Sequence, residues 1–196
     1  MTVAPDGRSL VGDVVRLDRL QESDIDELYA AIANEQVYAG GFGGGLAAMP
    51  SSAEDMRAQW IPAAAKRFAY VVRLVADGTV VGTSSLGDVD VVNERIHLGW
   101  TGYAPAVWGT AVNPAAKLLL LEHAFEVCGF GRVKIQTGSK NTRSQAAIAK
   151  LGATREGVLR RHMRTADGSF RDTVVFSILA DEWPDVRKRL EDRISR

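Results

Sequence analysis

A strand that passes through a glycine turn directly into a broadly apolar helix constrains this chain more than any other feature. Residues 95–103 alternate, with Ile96, Leu98 and Trp100 on one side and His97, Gly99 and Thr101 on the other, the period of a β-strand. The turn Trp108-Gly109-Thr110-Ala111 follows. A helix then runs from Asn113 to about Cys128, with Leu118, Leu121, Phe125 and Cys128 on one stripe, widened by Leu120, Ala124 and Val127. A face this broad has to be buried, which places the segment inside an α/β core. At its start the unpaired N–H groups and the positive end of the helix dipole make phosphate the natural ligand. Neither the G-K-[ST] of a nucleotide P-loop nor G-x-G-x-x-G is present. The small residues Gly109 and Ala111 remain as the pair that would let a pyrophosphate approach the backbone; a glycine used only to turn the chain is the plainer alternative.

The other segments supply partners for this unit. Val11, Val14, Val15 and Leu17 read as an opening strand, and Ser23 caps a helix carrying Ile25, Leu28, Tyr29 and Ile32. Gly40-Gly41-Phe42-Gly43-Gly44-Gly45 is too flexible for a helix or central strand and predicts a mobile loop. Ser51 and Ser52, with Glu54 and Asp55 behind them, open a second helix running towards Arg67, with Trp60 facing the core. Strands at 69–75 and 79–86 join through the hairpin signal Asp77-Gly78. Beyond the long helix, Gly129 and Gly131 supply the stop and Val133 to Thr137 form a strand. Asn141 opens a helix with Ala147, Ile148 and Leu151 on its apolar side, and Gly152 closes it. Strands at 153–165 and 170–179 follow, joined by Ala166-Asp167-Gly168-Ser169, and Asp181 caps a final helix with Pro184 in its first turn. The resulting order, β-α-α-β-β-β-α-β-α-β-β-α, predicts a single α/β domain over residues 1–196, a mixed sheet with helices on both faces.

Composition removes several functional classes. Lysine plus arginine equals aspartate plus glutamate at 24 each, so no strong field is available to hold nucleic acid. Cys128, the only cysteine, excludes an internal disulfide framework and a multi-cysteine zinc site, and it reads as core; no metal site is expected. No apolar run is long enough to span a bilayer and the N-terminus lacks the pattern of an export signal, so the expectation is a cytoplasmic protein with no membrane partner.

The stretch Ala106-Val107-Trp108-Gly109-Thr110-Ala111 resembles the R/Q-x-x-G-x-G/A signature of the GNAT superfamily of acetyl-coenzyme A dependent N-acetyltransferases, in the Pro105-x-x-Trp108-Gly109 setting of its ribosomal-protein (RimJ/RimL-like) branch. The first signature position departs, being Ala106 where Arg or Gln is usual. The resemblance continues through Asn141-x-x-Ser144, Leu151-Gly152-Ala153, Glu156-Gly157 and the Asp167-Gly168 hairpin, covering most of residues 9–193. It implies a central, mostly antiparallel sheet splayed where acetyl-CoA enters, and direct attack of an amine on the thioester in a ternary complex with no covalent enzyme intermediate. Cofactor contacts then fall on Trp100, Thr101, Val107, Trp108, Gly109, Thr110, Ala111, Asn141 and Ser144.

Acid and base are expected from the same resemblance. Many relatives carry a tyrosine seven residues after the helix-opening asparagine; here that position is Ile148, so Ser144 is the candidate proton donor, with a first-turn serine that serves only the helix as the alternative. His97 is the candidate base because an imidazole titrates near neutrality, with Glu156 and Glu94 behind it. His123, between Glu122 and Glu126, reads as part of a solvated face, and His162 as part of a basic strand. Tyr38 and Phe42 border the region where this superfamily admits its acceptor, so the glycine loop is an expected lid. The acceptor is expected to be a peptide N-terminus; a small-molecule amine, or a non-catalytic acyl-CoA-binding module, is the alternative. A homodimer is the expected assembly.

Overall fold

The computed structural model describes residues 1–195. Strands β1 (Leu10–Val11), β2 (Val15–Arg19), β3 (Phe68–Leu74), β4 (Val80–Asp90), β5 (Arg95–Tyr103), β6 (Arg132–Gly138), β7 (Thr154–Arg164) and β8 (Phe170–Leu179) form one eight-stranded sheet in the order β1-β2-β3-β4-β5-β6-β8-β7. The expected opening strand is broken into two short pieces. Every adjacent pair is antiparallel except β5 and β6, the mixed arrangement that the element order predicts.

Helices α1 (Ile25–Ile32) and α3 (Ala53–Ala64) lie on one face of the sheet, where Ile25, Leu28, Ile32 and Met56 pack with Ala69 and Val71. Helices α4 (Val112–Glu122), α5 (Thr142–Ala149) and α6 (Trp183–Ile194) lie on the other, where Leu120, Ile148 and Leu190 join Leu17, Leu98, Val133 and Ile178. Removing these aliphatic side chains from water, at about 1.5–3 kcal/mol each, drives the two layers onto the sheet. Ser52 caps α3 by accepting from Asp55 N at 3.1 Å, as its sequence predicts. The first helical turn instead uses a capping box between Gln21 and Asp24, so Ser23 is not the cap.

The glycine-rich segment is a loop, as expected, built from turns: a short helix, α2 (Glu35–Ala39), leads into 3-10 turns at Phe42–Gly44 and Leu46–Ala48, with Gly41, Gly43, Gly44 and Gly45 all at positive φ. The long helix does not continue regularly to Cys128, contrary to expectation. It changes to a π turn at His123–Val127, and that inserted residue rotates the surface, so His123 is buried and Val127 is exposed.

Candidate active site

The turn after β5 is a 3-10 segment, Pro105–Val107, followed by Trp108 and then Gly109 at φ 79°. A left-handed backbone at this point is why glycine stands there. A Cβ on Gly109 would meet nothing within 4 Å, so the space above the turn is open. Thr110 folds its hydroxyl back onto Val107 O at 2.7 Å, and Trp108 Nε1 donates to Tyr103 O at 2.9 Å, which fixes the turn from both ends. Helix α4 begins after Ala111; the Val112 N–H donates to Thr110 Oγ1 at 3.3 Å and Pro114 has no N–H, which leaves the Asn113 amide of the first turn for an anion.

Beside this turn the sheet comes apart. Strands β5 and β6 pair only at Arg95–Arg132, Ile96–Val133 and His97–Lys134; beyond them β5 runs on to Tyr103 and β6 to Gly138 without bonding each other. The divergence coincides with a bulge, marked by a register shift against β4 and by Trp100 at φ 50°. One extra residue reverses the alternation. Trp100 therefore turns to the α1–α3 face, its ring 4.7 Å from His97 and beneath the Arg67 guanidinium at 4.9 Å, while Thr101 turns towards α4. Strict alternation gives the opposite assignment for both residues. Asp88, at φ 48° in a second irregularity on β4, is likewise turned onto the face that carries His97.

Helix α5 closes the slot from the far side. Asn141 caps it, its Oδ1 accepting from Ser144 N at 3.0 Å, as predicted. Ser144 is half-buried, and its hydroxyl bonds to no other described residue. Arg143 lays its guanidinium over the Trp108 ring at 3.9 Å and lies beside Gly40, so the Gly109 turn, α5 and the glycine segment meet at one point. Ile148 is buried in the core at the position where many relatives carry a tyrosine.

On the α1–α3 face, next to Trp100, an open cavity of about 620 Å³ is lined by Asp88, Lys134, Gln136, Glu156 and the β7 residues Val158, Leu159, His162 and Met163. All of its lining residues belong to strands. His97 does not line this cavity but a neighbouring recess shared with Asp88, Arg95 and Lys134, and it is 3 % exposed; burial first, then the nearby Lys134, pushes its pKa down to about 4, although Asp88 Oδ2 at 3.2 Å pulls the other way. Its ring nitrogens make no hydrogen bond with useful geometry. At neutral pH His97 is therefore uncharged and a weak base. Glu156 is committed to Arg132 and to Ser177 Oγ, and Glu94 lies in the turn before β5, five residues ahead of the bulge.

Tyr38 and Phe42 pack together on this face of the sheet, and neither lines the cavity. Their rings meet edge-on at 5.4 Å, Phe42 reaches Trp60 at 6.0 Å, and Phe42 lies so close to β5 that a Cβ on Gly102 would come within 2.9 Å of it. Tyr38 is fully buried behind Phe42, and burial pushes its phenol up to about 12, so it stays neutral.

Sequence reasoning missed Lys117. Its amine is buried against the far side of the bulge, donating to Thr101 Oγ1 at 2.7 Å and to Ser84 Oγ at 3.2 Å, and burial pushes its pKa down to about 7. The helical spacing from Leu120, Leu121 and Ala124 does point residue 117 inward; only the side-chain type argues otherwise.

Comparison with known proteins matches this geometry. The chain matches the family described as Acetyltransferase (GNAT) domain over residues 15–154. A Bacillus subtilis (strain 168) protein, YdaF, provisionally named a ribosomal N-acetyltransferase, is 31 % identical over 138 residues, covering 68 % of this chain and 74 % of its own. A GCN5-related N-acetyltransferase from Brucella melitensis superposes with TM-score 0.89 at 27 % identity, covering 97 % of this chain and 87 % of that one. RimJ of Mycobacterium smegmatis, solved in complex with CoA-disulfide, shares the fold with TM-score 0.75 at 22 % identity, covering 94 % of this chain and 92 % of its own. The open glycine turn and the parted strands fit the cosubstrate of that family, and no group of His, Cys, Asp or Glu side chains among the described residues could hold a metal. The chain belongs to the GNAT superfamily and is an acetyltransferase that uses acetyl-CoA.

Proposed function

We propose that the acceptor is the α-amine of a peptide N-terminus, acetylated by direct attack in a ternary complex. The observation that carries this reading is the open, strand-lined cavity beside Trp100, which can take an extended chain. A lysine side chain, with a pKa of about 10.4, needs a strong base to become nucleophilic near pH 7, whereas an α-amine titrates at about 8 and is partly neutral unaided. The burial that pushes His97 down agrees with the second. The uncovered cavity beside Trp100 leaves room for a chain to continue away from its first residue, and the similarity to YdaF agrees with this acceptor class.

In this reading acetyl-CoA supplies an activated acetyl thioester, and the chain's residues do the rest. Gly109 and Ala111 offer backbone donors to the phosphates, Thr110 holds the turn closed through its bonds to Val107 O, Val107 and Trp108 shape the turn, and Asn141 fixes the start of α5. The bulge at Trp100 and Thr101 directs backbone towards the slot, where a preorganised donor stabilises an oxyanion. His97, with Asp88 3.2 Å from its Nδ1, accepts the proton released after attack; the neighbouring carboxylate offsets the charge on the ring. Ser144, whose hydroxyl is free, donates a proton to the departing sulfur. Phe42 bounds the acceptor side.

A thiol-release assay with acetyl-CoA against N-terminal peptides, lysine-bearing peptides with blocked termini and small amines tests the reading. Peptides with free α-amines are expected to turn over at pH 7.5 and blocked ones not to. Acetylation of small amines alone would overturn the acceptor assignment. Ser144→Ala is expected to lower kcat by about 10- to 100-fold while coenzyme A affinity, read by calorimetry, stays within twofold.

A further inference from the structure

The hairpin of β7 and β8 carries five arginines, Arg155, Arg160, Arg161, Arg164 and Arg171, none of which has a carboxylate within 4.0 Å among the described residues. The hairpin's own carboxylates are engaged elsewhere. Glu156 pairs with Arg132 and Ser177, Asp167 accepts from the hydroxyls of Thr165 and Ser169, and Asp172 accepts from the Arg161 backbone at 2.7 Å. The hairpin thus carries five arginines against three carboxylates, a local excess of positive charge in a chain whose formal net charge is zero.

That surface adjoins the acceptor cavity. Val158, Leu159, His162 and Met163 of β7 line the cavity, and Arg171 Nη2 lies 3.3 Å from Met163 Sδ, where burial lowers its pKa. Arg161 and Arg164 are stacked on the Phe170 ring at 4.1 and 4.6 Å, and Arg164 also donates to Gly168 O at 3.0 Å. Stacked, prepositioned guanidinium groups lose little freedom on pairing with a carboxylate. β7 is also the last strand of the sheet, so among the described residues one of its edges has no partner strand.

We infer that the hairpin arginines select acceptors whose residues beyond the acetylated amine are acidic, the amine lying beside Trp100 and the carboxylates reaching the guanidinium groups. This rests on the N-terminal peptide reading above and narrows it to a substrate class. The attraction is between opposite charges near the surface, so it weakens as salt shortens the Debye length from about 10 Å at 0.1 M.

The test measures kcat/KM on peptides that share their first two residues and carry Asp/Glu, Ser/Gln or Lys at positions three to eight. The acidic series is expected to exceed the neutral one by about tenfold or more at low salt, a lead equal to about 1.4 kcal/mol, and to lose most of it at 0.5 M salt. In the triple variant R160S/R161S/R164S the acidic-to-neutral ratio is expected to collapse towards one; the salt titration on the natural chain decides the matter even if that variant folds poorly. Equal rates for acidic and neutral peptides would overturn the inference and leave the N-terminal reading standing. Turnover of small amines alone would remove both. If short single-stranded RNA bound the hairpin while acidic peptides gained nothing, the surface would belong to nucleic acid and the inference would be wrong.

Discussion

Lys117 Nζ lies 2.7 Å from Thr101 Oγ1, which ties the middle of α4 to the bulge where β5 leaves β6. The helix that follows the Gly109 turn and the strand that borders the gap in the sheet are thus joined by a buried amine, which also donates to Ser84 Oγ at 3.2 Å.

Replacing Lys117 by Met should separate stability from activity. Folding depresses the amine to about 7 from an ordinary 10.5, so between those values the unfolded chain holds the extra proton. Stability therefore rises with pH across that window, and below pH 7 the penalty is complete. The variant removes it while Ser84 and Thr101 still bond each other at 2.8 Å. Thermal melts should show a gain on the order of 1–4 kcal/mol at pH 6 that shrinks by pH 10. Turnover should fall, and in a double-mutant cycle with Thr101→Val the kcat losses should be non-additive.

His97 predicts the opposite end of the pH range. Its folded value of about 4 lies below the ordinary 6.5, so the unfolded chain takes up the proton first as pH falls. The contribution is whole above pH 6.5 and is lost on the way down to 4. His97→Gln should flatten the acid limb of the stability curve by about 1–3 kcal/mol, measured by urea unfolding at pH 4.5 and 7.5. If His97 accepts the reaction proton, kcat of the variant drops at every pH.

Gly109→Val places a β-branched side chain at φ 79°, a strain of about 1–2 kcal/mol, and fills the open space above the turn. Coenzyme A affinity by calorimetry should weaken by tenfold or more. Acceptor KM, measured at saturating acetyl-CoA, should move far less.

Gly102→Ala tests the other side of the sheet. The new methyl would come within 2.9 Å of the Phe42 ring, and relief requires Phe42 to shift with the glycine segment behind it. Acceptor KM should rise several-fold while coenzyme A affinity holds.

What could be read from the chain beforehand follows a physical line. The Gly109 turn, the apolar stripe of α4 and the Asn141 cap are local: period, small residues and side-chain oxygen suffice to announce them. The faces of Trp100 and Thr101 are not local, because a bulge belongs to the pairing of two strands, and one inserted residue exchanges the two sides. Asp88 reaches His97 through the same device on β4. His123 was misplaced by the π turn, whose extra residue no 3.6-residue period contains. Lys117 had the spacing of a core residue and the chemistry of a surface one, and here spacing prevailed.

The three-residue pairing of β5 with β6 has one more consequence. A sheet normally exposes unpaired amides only at its flanks, yet this one carries an opening in its interior, bordered by residues 98–103 on one side and 135–138 on the other. Such a gap is a template for an extended, amide-bearing guest, and it leaves the two halves of the sheet weakly stitched until the guest arrives. Ligand binding should then read out as mechanical closure: amide hydrogen exchange along 98–103 and 135–138 slows on adding coenzyme A, while β3 and β8 barely respond.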